Sequence, residues 1–132
     1  MPGSVPILLI ALAMGVASPP VHAVAQPLTI VHHAPRKPAP GKPPMLVLLH
    51  GFGANEQDLL PMAARLDPRL AVASLRGPYQ IRPGGYSWVN GDTPDELDNA
   101  RRMVIECIDQ VADSTGADRG RVYLAGFSQG AM

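Results

Sequence analysis

The residues with the clearest chemical potential are Gly126-Phe127-Ser128-Gln129-Gly130, inside the stretch YLAGFSQGAM. A serine hydroxyl becomes a useful nucleophile only when a base takes its proton, and attack on a carbonyl also needs donors for the developing oxyanion. The G-x-S-x-G spacing suits the corner at which a strand turns sharply into a helix. Glycines stand on both sides of the serine because the tight turn leaves no room for side chains there. A second element agrees. His50-Gly51-Phe52-Gly53 follows an apolar run, and its two glycines let the backbone approach closely. In this arrangement the oxyanion donors are the backbone N–H groups of Gln129, next after the serine, and Phe52, in the loop after an earlier strand. His50 is read as a residue that organises that loop, not as the base.

These residues need a scaffold. Met45 to His50 (MLVLLH), Leu70 to Leu75 (LAVASL) and Arg121 to Phe127 (RVYLAGF) are apolar runs of the kind found in strands buried on both faces of a parallel sheet. A shorter strand is expected at Leu28 to Val31. Asn55 to Leu66 alternates acidic and apolar residues at helical spacing, with Pro61 tolerable only near a first turn. Thr93-Pro94-Asp95-Glu96 reads as a helix start, with Thr93 as cap, Pro94 in the first helical position and Glu96 completing a capping box. Leu97, Ala100, Val104, Ile108 and Val111 then form one apolar stripe on a helix ending near Gly116. Cys107 lies beside the stripe and reads as packing rather than a reactive thiol. Arg76 to Gly91 is expected to be a long loop rich in Gly, Pro and aromatics. The alternation of strands and helices predicts an α/β fold with a mainly parallel sheet and flanking helices.

The chain has 132 residues, a formal net charge of +0 and 46% hydrophobic residues, which suits one small domain. The balance of 11 basic and 11 acidic residues gives no electrostatic case for nucleic acid. Val5 to Ala17 is an uncharged apolar run followed by small-x-small sites ending at Ala23 or Ala25, the pattern of a secretory signal peptide. It is too short for the roughly 20 residues of a membrane span. The expected organisation is a signal at 1–25, an N-terminal strand and Pro-rich linker at 26–44, and a globular part at 45–132. Such a protein is secreted or periplasmic, with no stable membrane span once the signal is removed. With Cys107 as its one cysteine the chain forms no internal disulfide. Adjacent His32-His33 lack the partner spacing of a metal site and are expected in a solvated loop. No metal and no cofactor is expected.

Three blocks, LVLLHGFGANEQDLLPMA, SLRGPYQIRPGGYSWVN and DRGRVYLAGFSQGAM, together resemble the phospholipase/carboxylesterase family of α/β-hydrolases, which includes enzymes similar to acyl-protein thioesterases. The resemblance covers residues 45–132. It implies Ser128 as nucleophile, the N–H groups of Phe52 and Gln129 as the oxyanion hole, and Tyr86 and Trp88 near an acyl pocket. The implied substrate is a small-molecule acyl ester or thioester. In such hydrolases an Asp and then a His follow the serine along the chain. The four histidines here are His22, His32, His33 and His50, and all precede Ser128. The sequence therefore reads as the N-terminal part of a hydrolase, ending at the corner and expected to be inactive alone. The four residues after Ser128 are too few for a stable α-helical turn, so the Gln129 N–H is expected to be loosely held. The strand before the corner is expected to expose an apolar edge. Two alternatives remain at this level: another secreted α/β-hydrolase, such as a polymer depolymerase or feruloyl-esterase-like enzyme, and a non-enzymatic remnant. Oligomeric state is not legible.

Overall fold

A computed structural model describes residues 28–91 and 93–132. The apolar run at Val5 to Ala17, the cleavage sites at Ala23 and Ala25, and His22 lie outside the described residues.

The apolar runs at 45–50 and 70–75 become strands covered on both faces. Strands β1 (Ile30–His33), β2 (Met45–Leu49), β3 (Ala71–Leu75) and β6 (Val122–Gly126) form one sheet in the order β1-β3-β2-β6. β2 pairs in parallel with both β3 and β6, and β1 joins β3 antiparallel. Successive side chains of β2 point to opposite faces of the sheet. Met45 and Val47 pack with Ala100, Val104, Cys107 and Val111 of helix α2 (Pro94–Thr115). Leu46 and Leu48 pack with Ala63 of the short helix α1 (Leu60–Ala63) and with Val72. Met45, Val47 and Leu48 are wholly buried.

Helix α2 follows its sequence pattern. The Thr93 side chain accepts the Glu96 N–H, and Gly116 closes the C-terminus in the left-handed conformation. The capping box is modified, however: the Glu96 carboxylate accepts the Asn90 N–H at 3.0 Å, tying the preceding loop to the first turn. Cys107 is buried in the core, and burial together with nearby Glu106 pushes its thiol pKa up, as expected for a packing residue.

Several local expectations are corrected. The helix expected over Asn55 to Leu66 shrinks to α1, with Pro61 in its first turn. Before it, the Asn55 side chain accepts the Gln57 N–H at 2.9 Å, a local bond that competes with helix. The loop expected at 76–91 contains a hairpin, β4 (Tyr79–Arg82) and β5 (Gly85–Ser87), whose turn carries Gly84 at φ +71°. His32 and His33 are exposed as expected, but they stand on edge strand β1, opposite Ala73 and Val72, rather than in a loop. Among the described residues no helix is long and apolar enough to cross a membrane. As expected, the last strand is poorly covered: Tyr123, Leu124 and Phe127 are 54%, 60% and 66% exposed.

Candidate active site

Register builds the site. Leu49 of β2 lies beside Gly126 of β6, and the Phe127 N–H donates to the Leu49 carbonyl at 3.1 Å. Two adjacent parallel strands thus end at the same level, and the loops that leave them, 50–53 and 127–130, meet. A methyl group placed at Gly51 would contact Phe127 Cδ1 at 3.0 Å and Ser128 Cβ at 3.5 Å.

The corner itself is sharp. Ser128 has φ +51°, and among the described residues no other non-glycine residue has a positive φ. A β-carbon is disfavoured in that region, so the surrounding chain must hold it there. The Ser128 side chain is exposed, at the start of a four-residue 3₁₀ helix, Ser128–Ala131. A methyl group at Gly126 would run into the Gly130 carbonyl, and one at Gly130 into the carbonyls of Leu49 and His50. The glycine spacing therefore reflects close backbone approach on both sides of the serine.

The loose Gln129 expected from the sequence is corrected. The 3₁₀ turn needs only i to i−3 bonds, and the Gly130 N–H donates to the Phe127 carbonyl at 2.9 Å. In addition the Gln129 side chain is anchored. Its Oε1 accepts the Trp88 N–H at 2.9 Å, and its Nε2 donates to Ser87 Oγ at 3.1 Å. Ser87 in turn donates to the Val89 carbonyl at 2.6 Å. The hairpin thus braces the corner through a side-chain amide, a bond that no pattern in the sequence signals.

The amide groups around the site divide sharply. Gly53 N–H is spent on the Tyr86 carbonyl at 2.8 Å, and Ala54 N–H on the Gly51 carbonyl at 3.2 Å. The N–H groups of Phe52 and Gln129 have no intramolecular acceptor among the described residues. The Phe52 side chain is 65% exposed.

His50 sits beneath this loop, 1% exposed. The Gly77 N–H donates to its Nε2 at 2.9 Å, so the ring proton is on Nδ1, which donates to the Gly51 carbonyl at 2.7 Å. Both nitrogens are occupied, as befits a loop organiser. Trp88, 4% exposed, donates its indole N–H to the His50 carbonyl at 2.8 Å, and the two rings lie 5.2 Å apart. Tyr86 is half-buried, with the Arg76 guanidinium 4.5 Å over its ring. Trp88 and Gln129 also line a groove of about 520 Å³ between α2 and β6, walled mainly by Leu97, Val104, Ile108 and Leu124.

Two ionisable groups of this cluster carry shifted pKa values. Burial holds His50 below its ordinary 6.5, against smaller upward pulls from the Gly51 carbonyl, Asp58 and Glu56. Hydrogen bonding to Arg76 holds Glu56 below its ordinary 4.5, against the opposing effect of burial. Among the described residues no group of three His, Cys, Asp or Glu side chains could hold a metal.

Two predictions follow from this geometry. Gly130→Ala forces a methyl group into the end of β2 and is expected to lower stability by about 1–3 kcal/mol, read as a fall in the urea midpoint. A His50 kept neutral stabilises the fold fully above about pH 6.5, and that contribution is lost as pH falls through its lowered folded value, because the unfolded chain takes up the proton first. Between pH 7.5 and 5 the urea midpoint is therefore expected to fall more steeply in the parent than in His50→Gln. His32, also lowered by desolvation and by His33, titrates in both proteins and cancels in the comparison.

No family model matches the chain. Over 91 residues it is 34% identical to "Putative hydrolase MhqD" of Bacillus subtilis (strain 168), an alignment that covers 66% of this chain and 46% of the relative. The crystal structure of the Bacillus cereus carboxylesterase matches with a TM-score of 0.67 and 28% identity, over 79% of this chain and 50% of that one. The phospholipase/carboxylesterase of Dyadobacter fermentans DSM 18053 matches with a TM-score of 0.54 and 25% identity, over 77% of this chain and 48% of that one. The chain spans about half the length of these relatives. In its parallel sheet and the placing of its serine corner the chain is similar to carboxylesterases and to a phospholipase/carboxylesterase, proteins of the α/β-hydrolase class.

Proposed function

We propose that the protein hydrolyses small acyl esters or thioesters through an acyl-enzyme on Ser128, with the N–H groups of Phe52 and Gln129 receiving the oxyanion. One observation carries this reading. An exposed serine is held at φ +51° beside loop 50–53, and the N–H groups of Phe52 and Gln129 have no acceptor of their own among the described residues. In the first step Ser128 Oγ bonds to the carbonyl carbon, and the carbonyl electrons move to its oxygen. The tetrahedral species then collapses, expelling the alcohol or thiol with the proton taken from Ser128. Water next attacks the acyl group, and Ser128 recovers its proton as the acid leaves. Removing one oxyanion donor in such chemistry costs roughly 10²–10³ in rate, so preorganised amides are a large part of the machinery.

The base is a separate matter. Both ring nitrogens of His50 are committed, and His32 and His33 stand on β1, at the opposite edge of the sheet from β6. We assign the general base and the carboxylate that orients it to polypeptide outside residues 28–132. Residues 28–132 alone are then expected to show no enzymatic turnover. The complete protein is expected to take a fluorophosphonate label on Ser128 and to cleave p-nitrophenyl acetate, with both lost in Ser128→Ala. An unlabelled Ser128 in the complete protein rules out the nucleophile role, and enzyme-like turnover by residues 28–132 rules out the external base. A panel of short acyl esters, acyl thioesters and feruloyl esters assigns the substrate class.

The apolar run at 5–17 supports export of the protein to a secreted or periplasmic location. N-terminal sequencing of the mature protein is expected to begin at Val24 or Gln26, and an intact Met1 would refute this.

A further inference from the structure

Loop 50–56 carries the Phe52 amide, yet it holds little of its shape by itself. Its internal backbone bond is Ala54 N–H to Gly51 O. Further bonds come from two outside segments. From residues 76–77, the Gly77 N–H reaches His50 Nε2. From residues 82–86, Tyr86 exchanges two backbone bonds with Gly53 and Ala54, at 2.8 and 2.9 Å, and Arg82 donates to the Gly53 carbonyl at 2.7 Å.

Arg76 joins all three pieces. Its Nε and one terminal nitrogen each donate to the Glu56 carboxylate at 2.6 Å, its guanidinium lies 4.5 Å over the Tyr86 ring, and its own N–H donates to the Thr29 carbonyl at 2.9 Å. Glu56 is 5% exposed. A buried carboxylate left without its partner is strongly unfavourable, so the pair is a tight constraint. The planar fork also fixes direction, which a lysine cannot do.

We propose that Glu56 and Arg76 are positioning residues for the oxyanion loop: their bidentate pair, stacked on Tyr86, holds residues 50–56 in the shape that presents the Phe52 N–H at the Ser128 corner. This rests on the reading of Phe52 as an oxyanion donor and Ser128 as nucleophile. Neither Glu56 nor Arg76 touches the reacting atoms. Their effect passes through backbone geometry.

Two variants separate charge from geometry. Arg76→Lys keeps the charge and loses the fork; Glu56→Gln keeps the shape and loses the charge. In the complete protein each is expected to lower kcat on p-nitrophenyl acetate about 10- to 100-fold with KM little changed, the cost of a slightly misplaced donor. Methylguanidine is expected to restore part of the lost kcat to Arg76→Ala. By hydrogen exchange, the amides of Gly53, Ala54 and Gly77 are expected to exchange faster in these variants, while those of Val47 and Ala73 keep parent rates. If a variant fails to fold, Tyr86→Leu removes the stacked ring, keeps the backbone bonds, and gives the same exchange readout. Parent kcat in Arg76→Lys and Glu56→Gln overturns the proposal, and so does a loss of kcat in which Val47 and Ala73 loosen equally. Parent kcat in Ser128→Ala would instead remove the nucleophile reading, and the loop exchange pattern then tells the two failures apart.

Discussion

Leu49 and Gly126 stand side by side at the ends of two parallel strands, and the rest of the site depends on that register. In open α/β sheets ligands bind outside the carboxyl ends of the strands, where neighbouring loops diverge or converge. Here the two loops converge, because β2 and β6 run out at the same level. A slip of one residue would turn Leu48 toward α2 and Val47 toward α1, and would separate Gly51 from Phe127. The hydrophobic alternation of β2 therefore does two jobs. It fixes which face meets which helix, and it fixes the height at which Ser128 meets the loop at 51–53.

The loops that meet there are bonded to one another more than to themselves. Loop 50–56 takes backbone bonds from the hairpin, the hairpin takes the Gln129 side chain, and the Trp88 indole closes back on the His50 carbonyl. Each segment is irregular, and its buried polar groups find partners in the others: among the described residues no buried side-chain nitrogen or oxygen lacks a partner. Such mutual bracing lets a short 3₁₀ turn hold its place where an isolated helical turn of that length would fray.

The fold was legible where periodicity is strong. The apolar runs at 45–50, 70–75 and 121–127 are strands within one or two residues, and the stripe from Leu97 to Val111 is the buried face of α2. The corner was legible because its motif is short, although Gly130 is required by the distant carbonyls of Leu49 and His50 as Gly126 is by that of Gly130. What escaped was decided by partners far along the chain. The hairpin had a visible signal in Pro83-Gly84, a two-residue turn between β4 and β5, but β4 is only four residues long and its alternation meets no core, since Gln80 to Arg82 are all exposed. Asn55 to Leu66 had helical spacing, yet the Asn55 side chain and Pro61 confined the helix to its second half. Glu56 and Arg76 look like surface charges in the sequence, and pairing across twenty residues is what lets Glu56 be buried beside a partly buried Arg76. Gln129 drew notice for its backbone, while its side chain supplies the brace.

The left-handed backbone at Ser128 sets stability against chemistry at one position. Glycine would occupy that conformation with little strain, and it would delete the hydroxyl. A more relaxed chain at this corner would thus come at the cost of the hydroxyl on which the proposed acyl-enzyme depends.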